Sequence, residues 1–181
     1  MRKRLSDMTL EELWQLFPII LEEHKSYWAD WFGEEKINLE KILPPNVRIS
    51  HIGSTAVPNI WAKPIVDILV EIENNIDRIK DILIGNRYVC MSESANRISF
   101  NKGYTENGFA ERVFHLHLRY MGDNDEIYFR DYLIENSDIA KEYEKLKLDL
   151  WKKFEHNRDE YTNQKTEFVR KYTEIAKEHK K

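Results

Sequence analysis

The chain has 181 residues, with 28 Lys and Arg set against 32 Asp and Glu for a formal charge of -4. A chain of this length sustains one substantial core that buries about two-thirds of its extended surface, and 41% hydrophobic with 33% charged residues excludes general disorder. The charge also excludes a global positive field that would draw the protein onto nucleic acid, whereas a small phosphorylated ligand needs only a local basic patch.

Cys90 is the sole cysteine, so an internal disulfide is impossible and a thiolate zinc cluster would need another chain. Beside Tyr88 and Val89 it reads as a buried strand residue. The start, Met1-Arg2-Lys3-Arg4-Leu5-Ser6-Asp7, is basic without a long apolar run behind it, and no segment approaches the roughly 20 apolar residues of a bilayer span. A cytoplasmic protein without a membrane partner is the expectation.

In chain order, Thr9 with Glu12 three residues later predicts a capped short helix that stops near Pro18. Ile19-Ile20-Leu21 reads as a brief extended segment, and Trp28, Trp31, Phe32, Ile37, Leu39 and Ile42 predict a helix over 26–43, closed by Pro44-Pro45. A strand is expected over 47–52, a turn at Gly53, and a strand over 65–72 whose Asp67, Leu69 and Glu71 share one face by the two-residue period. Ile76, Ile79, Ile82 and Leu83 predict a helix over 75–84 that stops at Gly85-Asn86. Strands follow over 87–91, 97–101 and 112–120, with a turn at Asn107-Gly108. Beyond Gly122 the pattern becomes helical, over 125–134, then from Asn136-Ser137 through Phe154, and over 161–177. Its frequent Lys and Glu read as solvated helix faces. Strands and helices interleave, and no repeat or low-complexity linker compels a second domain. The expectation is a single domain over 1–181, with a sheet-containing portion over 9–122 and a helical portion over 123–181.

The stretch that carries chemistry is His51-Ile52-Gly53-Ser54-Thr55-Ala56-Val57-Pro58, followed by Lys63-Pro64-Ile65-Val66-Asp67-Ile68. A strand that ends in a small-residue turn exposes backbone N–H groups to an anion, and a neighbouring strand then sets a carboxylate beside it. The competing interpretation is a Gly-Ser-Thr turn and cap, with Asp67 paired to a nearby cation.

These two runs, with Phe114-His115-Leu116-His117-Leu118, Tyr128-Phe129-Arg130-Asp131-Tyr132-Leu133, and Ala140, Tyr143, Lys147, Asp159, Tyr161, Lys165 and Ala176, resemble the signature of the GrpB (UPF0157) family. The resemblance spans roughly Leu21 to Lys177. It implies an α/β (α+β) nucleotidyltransferase-like mixed sheet with flanking helices and a C-terminal helical segment. Active members of that fold carry two acids separated by one residue on a strand, which hold a divalent metal, and a Gly-Ser turn that contacts phosphate. Mapped onto this chain, Gly53 and Ser54, with the adjacent Thr55, match the turn, Asp67 matches the first acid, and Leu69 departs from the second. Glu71 shares the strand face but lies about 6.6 Å beyond position 69 in a regular strand.

His115 and His117, at i,i+2 on one strand face, offer another completion: with Asp67 and Glu71 they could hold Mg²⁺, Mn²⁺ or Zn²⁺, or else bind an anion, move a proton, or serve only the structure. Lys63, Arg112, Arg119 and Arg130 are candidate phosphate clamps, Lys63 foremost for its place between the turn and Asp67, and Arg130 could instead pair with Asp131. His51 reads as structural, and Trp61 and Tyr104 as base-stacking or packing residues. The expected function is binding of a nucleotide or phosphorylated small molecule with a divalent metal, through Asp67, His115 and His117 if nucleotidyl transfer follows. The alternatives are a noncatalytic regulatory binder or a metal-dependent phosphohydrolase. No organic cofactor is predicted, nucleic acid ranks low as a partner, and self-association is left open.

Overall fold

The computed structural model describes residues 3–180, so Met1, Arg2 and Lys181, which belong to the single domain and basic start expected above, lie outside the described residues. The expected cap is present at α1 (Leu10–Leu16): Thr9 Oγ1 accepts the Glu12 N–H at 3.2 Å, and the Glu12 carboxylate accepts the Thr9 N–H at 2.7 Å. Ile19 to Leu21 joins no strand, and the extended chain there is pinned by a single bridge between Glu22 and Ala62. The longer helix α2 (Tyr27–Ile42) ends just before the two prolines.

Five strands then build one mixed sheet: β1 (Arg48–Ile52), β2 (Val66–Ile72), β3 (Val89–Glu93), β4 (Arg97–Thr105) and β5 (Gly108–Tyr120). Their spatial order is β1-β2-β5-β4-β3. The central β2 and β5 run parallel, and every other pair is antiparallel. A short 3-10 turn (Ser54–Ala56) follows β1, and α3 (Ile76–Gly85) joins β2 to β3. β3 starts two residues later than expected because Asn86 and Arg87 still bond back to the last turn of α3, with Arg87 at φ 70°. β4 and β5 outrun their predicted lengths and meet in a hairpin at Glu106-Asn107.

The two-residue period divides the sheet. Val66, Ile68, Val70 and Ile72 line up with Phe114, Leu116 and Leu118 of β5 and with Ile98 and Phe100 of β4, and this face packs against Trp28, Leu39, Ile76, Ile79 and Leu83 of α2 and α3. Asp67, Leu69 and Glu71 alternate with that set, in register with His115, His117 and Arg119. Cys90 sits at the margin of the core, half-buried rather than sealed within it.

The C-terminal portion is helical as expected: α4 (Asp125–Glu135), α5 (Ser137–Phe154), α6 (Arg158–Asn163) and α7 (Thr166–His179). One expected helix over 161–177 proves to be two. The Lys165 N–H bonds back three residues to Thr162, tightening the end of α6, and α7 restarts from Lys165. Among the described residues, no helix is long and apolar enough to cross a membrane.

Candidate functional site

Gly53 brings the backbone against Asp67. Its φ is +73°, and a Cβ there would stand 2.3 Å from Asp67 Oδ2, so the turn between β1 and the 3-10 segment accepts only glycine without displacement. Thr55 is buried as a strap: its hydroxyl donates to the Ile65 carbonyl at 3.3 Å and lies 3.0 Å from His51 Nε2. His51 is structural as expected, its ring stacked on Phe32 with centroids 4.8 Å apart.

The parallel pairing of β2 with β5 places Asp67 directly beside His115. Asp67 Oδ1 lies 3.3 Å from His115 Nδ1 and 3.8 Å from His117 Nε2. Tyr104 Oη and Arg158 Nη2 approach the far nitrogen of His115 at 2.8 and 3.1 Å. A guanidinium only donates, so His115 Nε2 accepts and the proton sits on Nδ1, aimed at the carboxylate. In the same way Arg119 Nη2, 3.4 Å from His117 Nδ1, leaves the His117 proton on Nε2. Burial, reinforced by the charges of Arg158 and Lys63, pushes His115 down to about 4 against the pull of Asp67, so it is neutral at pH 7. Burial alone would raise the Asp67 carboxyl, but the His115 and His117 hydrogen bonds outweigh it and hold the group well below the usual carboxylate range.

These residues form one wall of a cavity of about 860 Å³, closed on the other side by α4 to α7. Gly53, Ser54, Thr55, Lys63, Asp67, His115, His117 and Arg130 all line it, so the structure brings together every expected site residue except Glu71. Glu71 is fully buried elsewhere, accepting the Gly122 N–H at 3.2 Å and the Asn124 amide at 3.0 Å, with Arg48 3.6 Å away. Its extra distance along β2 carries it to the chain leaving β5. Arg130 is committed rather than free: its guanidinium donates to Asp131 at 2.6 and 2.8 Å and to the His51 carbonyl at 2.7 Å. Arg112 pairs with Glu34 and Arg119 bonds to the Ile98 and Leu118 carbonyls, and neither lines the cavity. Trp61 and Tyr104 do not line it either.

The expected metal set is therefore not assembled. Among the described residues, no group of three or more His, Cys, Asp or Glu is placed to hold an ion. Leu69, in the second acid's place, is completely buried, and both imidazoles turn N–H groups toward Asp67 where a metal needs lone pairs.

Three cations that sequence reasoning left without a ligand role, Lys147, Arg158 and Lys165, stand on the opposite wall and join the expected Lys63. Lys147 of α5, expected on a solvated face, is 2% exposed, donates to the Trp61 carbonyl and lies 4.9 Å from the Tyr143 ring centroid. Lys165 and Lys63 stand 4.4 and 5.4 Å from the Tyr161 ring centroid, and Arg158 stands 5.6 Å from that of Tyr104. Burial lowers all three lysines: Lys147 to about 7, Lys165 to about 8, and Lys63 well below the ordinary ammonium range, with Lys165 and Arg158 repelling it further. The available signal was Tyr143 with Lys147 and Tyr161 with Lys165, two pairs at i,i+4 that set a ring beneath each ammonium.

A family model described as GrpB protein matches residues 18–175. The chain belongs to the GrpB family. Glutamate-rich protein GrpB of Alkalihalophilus pseudofirmus is 37% identical over 163 residues, covering 83% of this chain and 91% of that protein. The UPF0157 protein YqkA of Bacillus subtilis is 35% identical over 169 residues, 90% of this chain but only 48% of YqkA. The crystal structure of the conserved protein GrpB from Enterococcus faecalis superposes with a TM-score of 0.77 at 32% identity, covering 90% of this chain and all of that one. A Cid1 poly(U) polymerase bound to MgATP matches at a TM-score of 0.50 and 13% identity over 79% of this chain and 45% of its own, which shows a shared nucleotidyltransferase-type fold alone. This GrpB-family chain thus has the mixed sheet that its motifs implied.

Proposed function

We propose that the protein binds a nucleotide or another phosphorylated small molecule in the cavity between the sheet and the C-terminal helices. The observation that carries this reading is the pairing of two unlike walls in one space. Lys63, Lys147, Arg158 and Lys165 offer donors to phosphate, while Ile52, Val57, Phe129, Leu133 and Val169 offer an apolar surface to an organic body. The volume suits a ligand of that size. The fold shared with a polymerase supports a nucleotide. Leu69 in place of a second acid favours binding without nucleotidyl transfer, because a lone carboxylate cannot build the two-metal clamp that such transfer uses.

Isothermal titration with ATP, UTP, AMP, ribose 5-phosphate and adenosine tests the reading. Phosphorylated compounds should bind, and adenosine should bind at least about tenfold more weakly than AMP. Equal affinity for AMP and adenosine, or binding of none of these compounds, would refute a phosphate site. Mass detection of products after long incubation separates binding from transfer and from hydrolysis.

A further inference from the structure

Seven basic residues line this cavity, Lys63, Arg130, Lys147, Arg158, Lys165, Arg170 and Lys177, against four acids, Asp67, Asp125, Glu126 and Glu174. Lys63, Lys147, Arg158 and Lys165 form no ion pair with any acid among the described residues, whereas Arg130 and Lys177, which also line the cavity, pair with Asp131 and Asp125. Seven basic residues against four acids leave a formal excess of three over the whole lining. Lys147 is buried and Lys63, Arg158 and Lys165 are half-buried, and charge withdrawn from water without a partner is costly. The Tyr143, Tyr161 and Tyr104 rings offset part of the cost through their electron-rich faces, but a ring does not fill an ammonium's three donors.

The same geometry speaks against a bridging ion. A divalent cation at Asp67 would meet two imidazole N–H groups, an apolar Leu69 and four positive side chains. Each of those side chains, when protonated, would repel it.

We infer that the cavity takes its ligand as a free di- or triphosphate chain, neutralised by Lys63, Lys147, Arg158 and Lys165 in place of a divalent metal. This rests on the phosphate-binding reading above and adds the form of the ligand: a chain of two or three phosphates matches an excess of several positive charges, which a single phosphate does not. Lysine contributes movable point charges and Arg158 a flat fork for two phosphate oxygens. Asp67 then orients His115 and, through it, Arg158, whose guanidinium donates to the ring.

Calorimetry of the full chain with inorganic tripolyphosphate, pyrophosphate and phosphate, and with ATP, in EDTA and again in excess MgCl2, tests this. Tripolyphosphate and ATP should bind in EDTA at least as tightly as in MgCl2, and phosphate about tenfold or more weakly. Lys165→Gln should weaken tripolyphosphate about tenfold while Lys165→Arg stays within about threefold of the parent. Should Lys165→Gln lose its cooperative melt, Arg158→Gln takes its place, and the parent's own salt dependence gives a second readout, with affinity falling steeply between low and moderate salt. Binding that appears only with Mg²⁺ overturns this inference and leaves the phosphate site standing. No binding of ATP or tripolyphosphate in either buffer overturns both. Unaltered affinity in Lys165→Gln and Arg158→Gln together overturns the assignment to these cations.

Discussion

Gly53 and Asp67 occupy the same few ångströms, and each limits the other. Alanine at position 53 would add a left-handed backbone penalty and press its Cβ onto the Asp67 carboxylate. Gly53→Ala should therefore lower unfolding stability by about 1–3 kcal/mol, seen as a shifted urea midpoint, and should weaken ATP binding by displacing Asp67. That Gly53, Ser54, Asp67, His115 and His117 share one wall of the cavity was legible because glycine and charged residues interrupt apolar strands there. The fate of Glu71 was not. Parity along β2 put it on the correct face, but only the path of the chain after Tyr120 shows that Gly122 and Asn124 have claimed it. Arg130 shows the same limit: the sequence offered a clamp or a partner for Asp131, and the choice depended on the His51 carbonyl, 79 residues away in the chain.

Helices were harder to interpret than strands. Alternation in β2 and β5 identifies a buried face and a site face with no further information, since a regular strand has only two. In α5 and at the start of α7 the lysines fall among many other charged residues, and the pattern does not reveal which of them turns inward. Their burial has a consequence in pH. The folded protein holds Lys147 and Lys165 down to about 7 and 8, whereas an unfolded chain titrates them near the ordinary 10.5. Between those values the unfolded state binds more protons, so stability of the free protein rises with pH. The urea midpoint should correspond to an increase on the order of 3–4 kcal/mol from pH 7 to pH 9. An anion reverses the preference by favouring the charged lysines. Tripolyphosphate binding at pH 8 should take up protons, measurable as a heat that depends on the buffer's ionisation enthalpy, and its affinity should fall as pH rises through 7 to 9.

Across the whole molecule the sheet separates two environments: a continuous apolar core beneath α2 and α3, and a cavity of mixed apolar and charged lining beneath α4 to α7. That division was legible from strand periodicity and from the change to helical pattern after Gly122. The cavity itself was not, since it exists only between segments far apart in sequence. Two histidines near it set the response to acid. Burial holds His51 and His115 at about 4, below the ordinary 6.5, so the unfolded chain takes up protons first and stability falls as pH drops from 6.5 toward 4. Asp67, held below its usual range, adds its own loss at lower pH still. Tryptophan fluorescence during acid titration should show unfolding begin in that histidine window, and His51→Phe, which removes one titrating ring beside Phe32, should move the midpoint to lower pH.

The parallel seam between β2 and β5 has a temporal consequence as well. Asp67 meets His115 only after the α3 crossover and the β4–β5 hairpin are laid down, and three of the four cations follow later still, on α5, on α6 and at the start of α7. A nascent chain emerging from the ribosome would display the acid, both imidazoles and Lys63 long before the other three cations. The full grip on phosphate arrives with the final third of synthesis, and a truncation before Arg158 leaves Lys63 and Lys147 without the other half of their set.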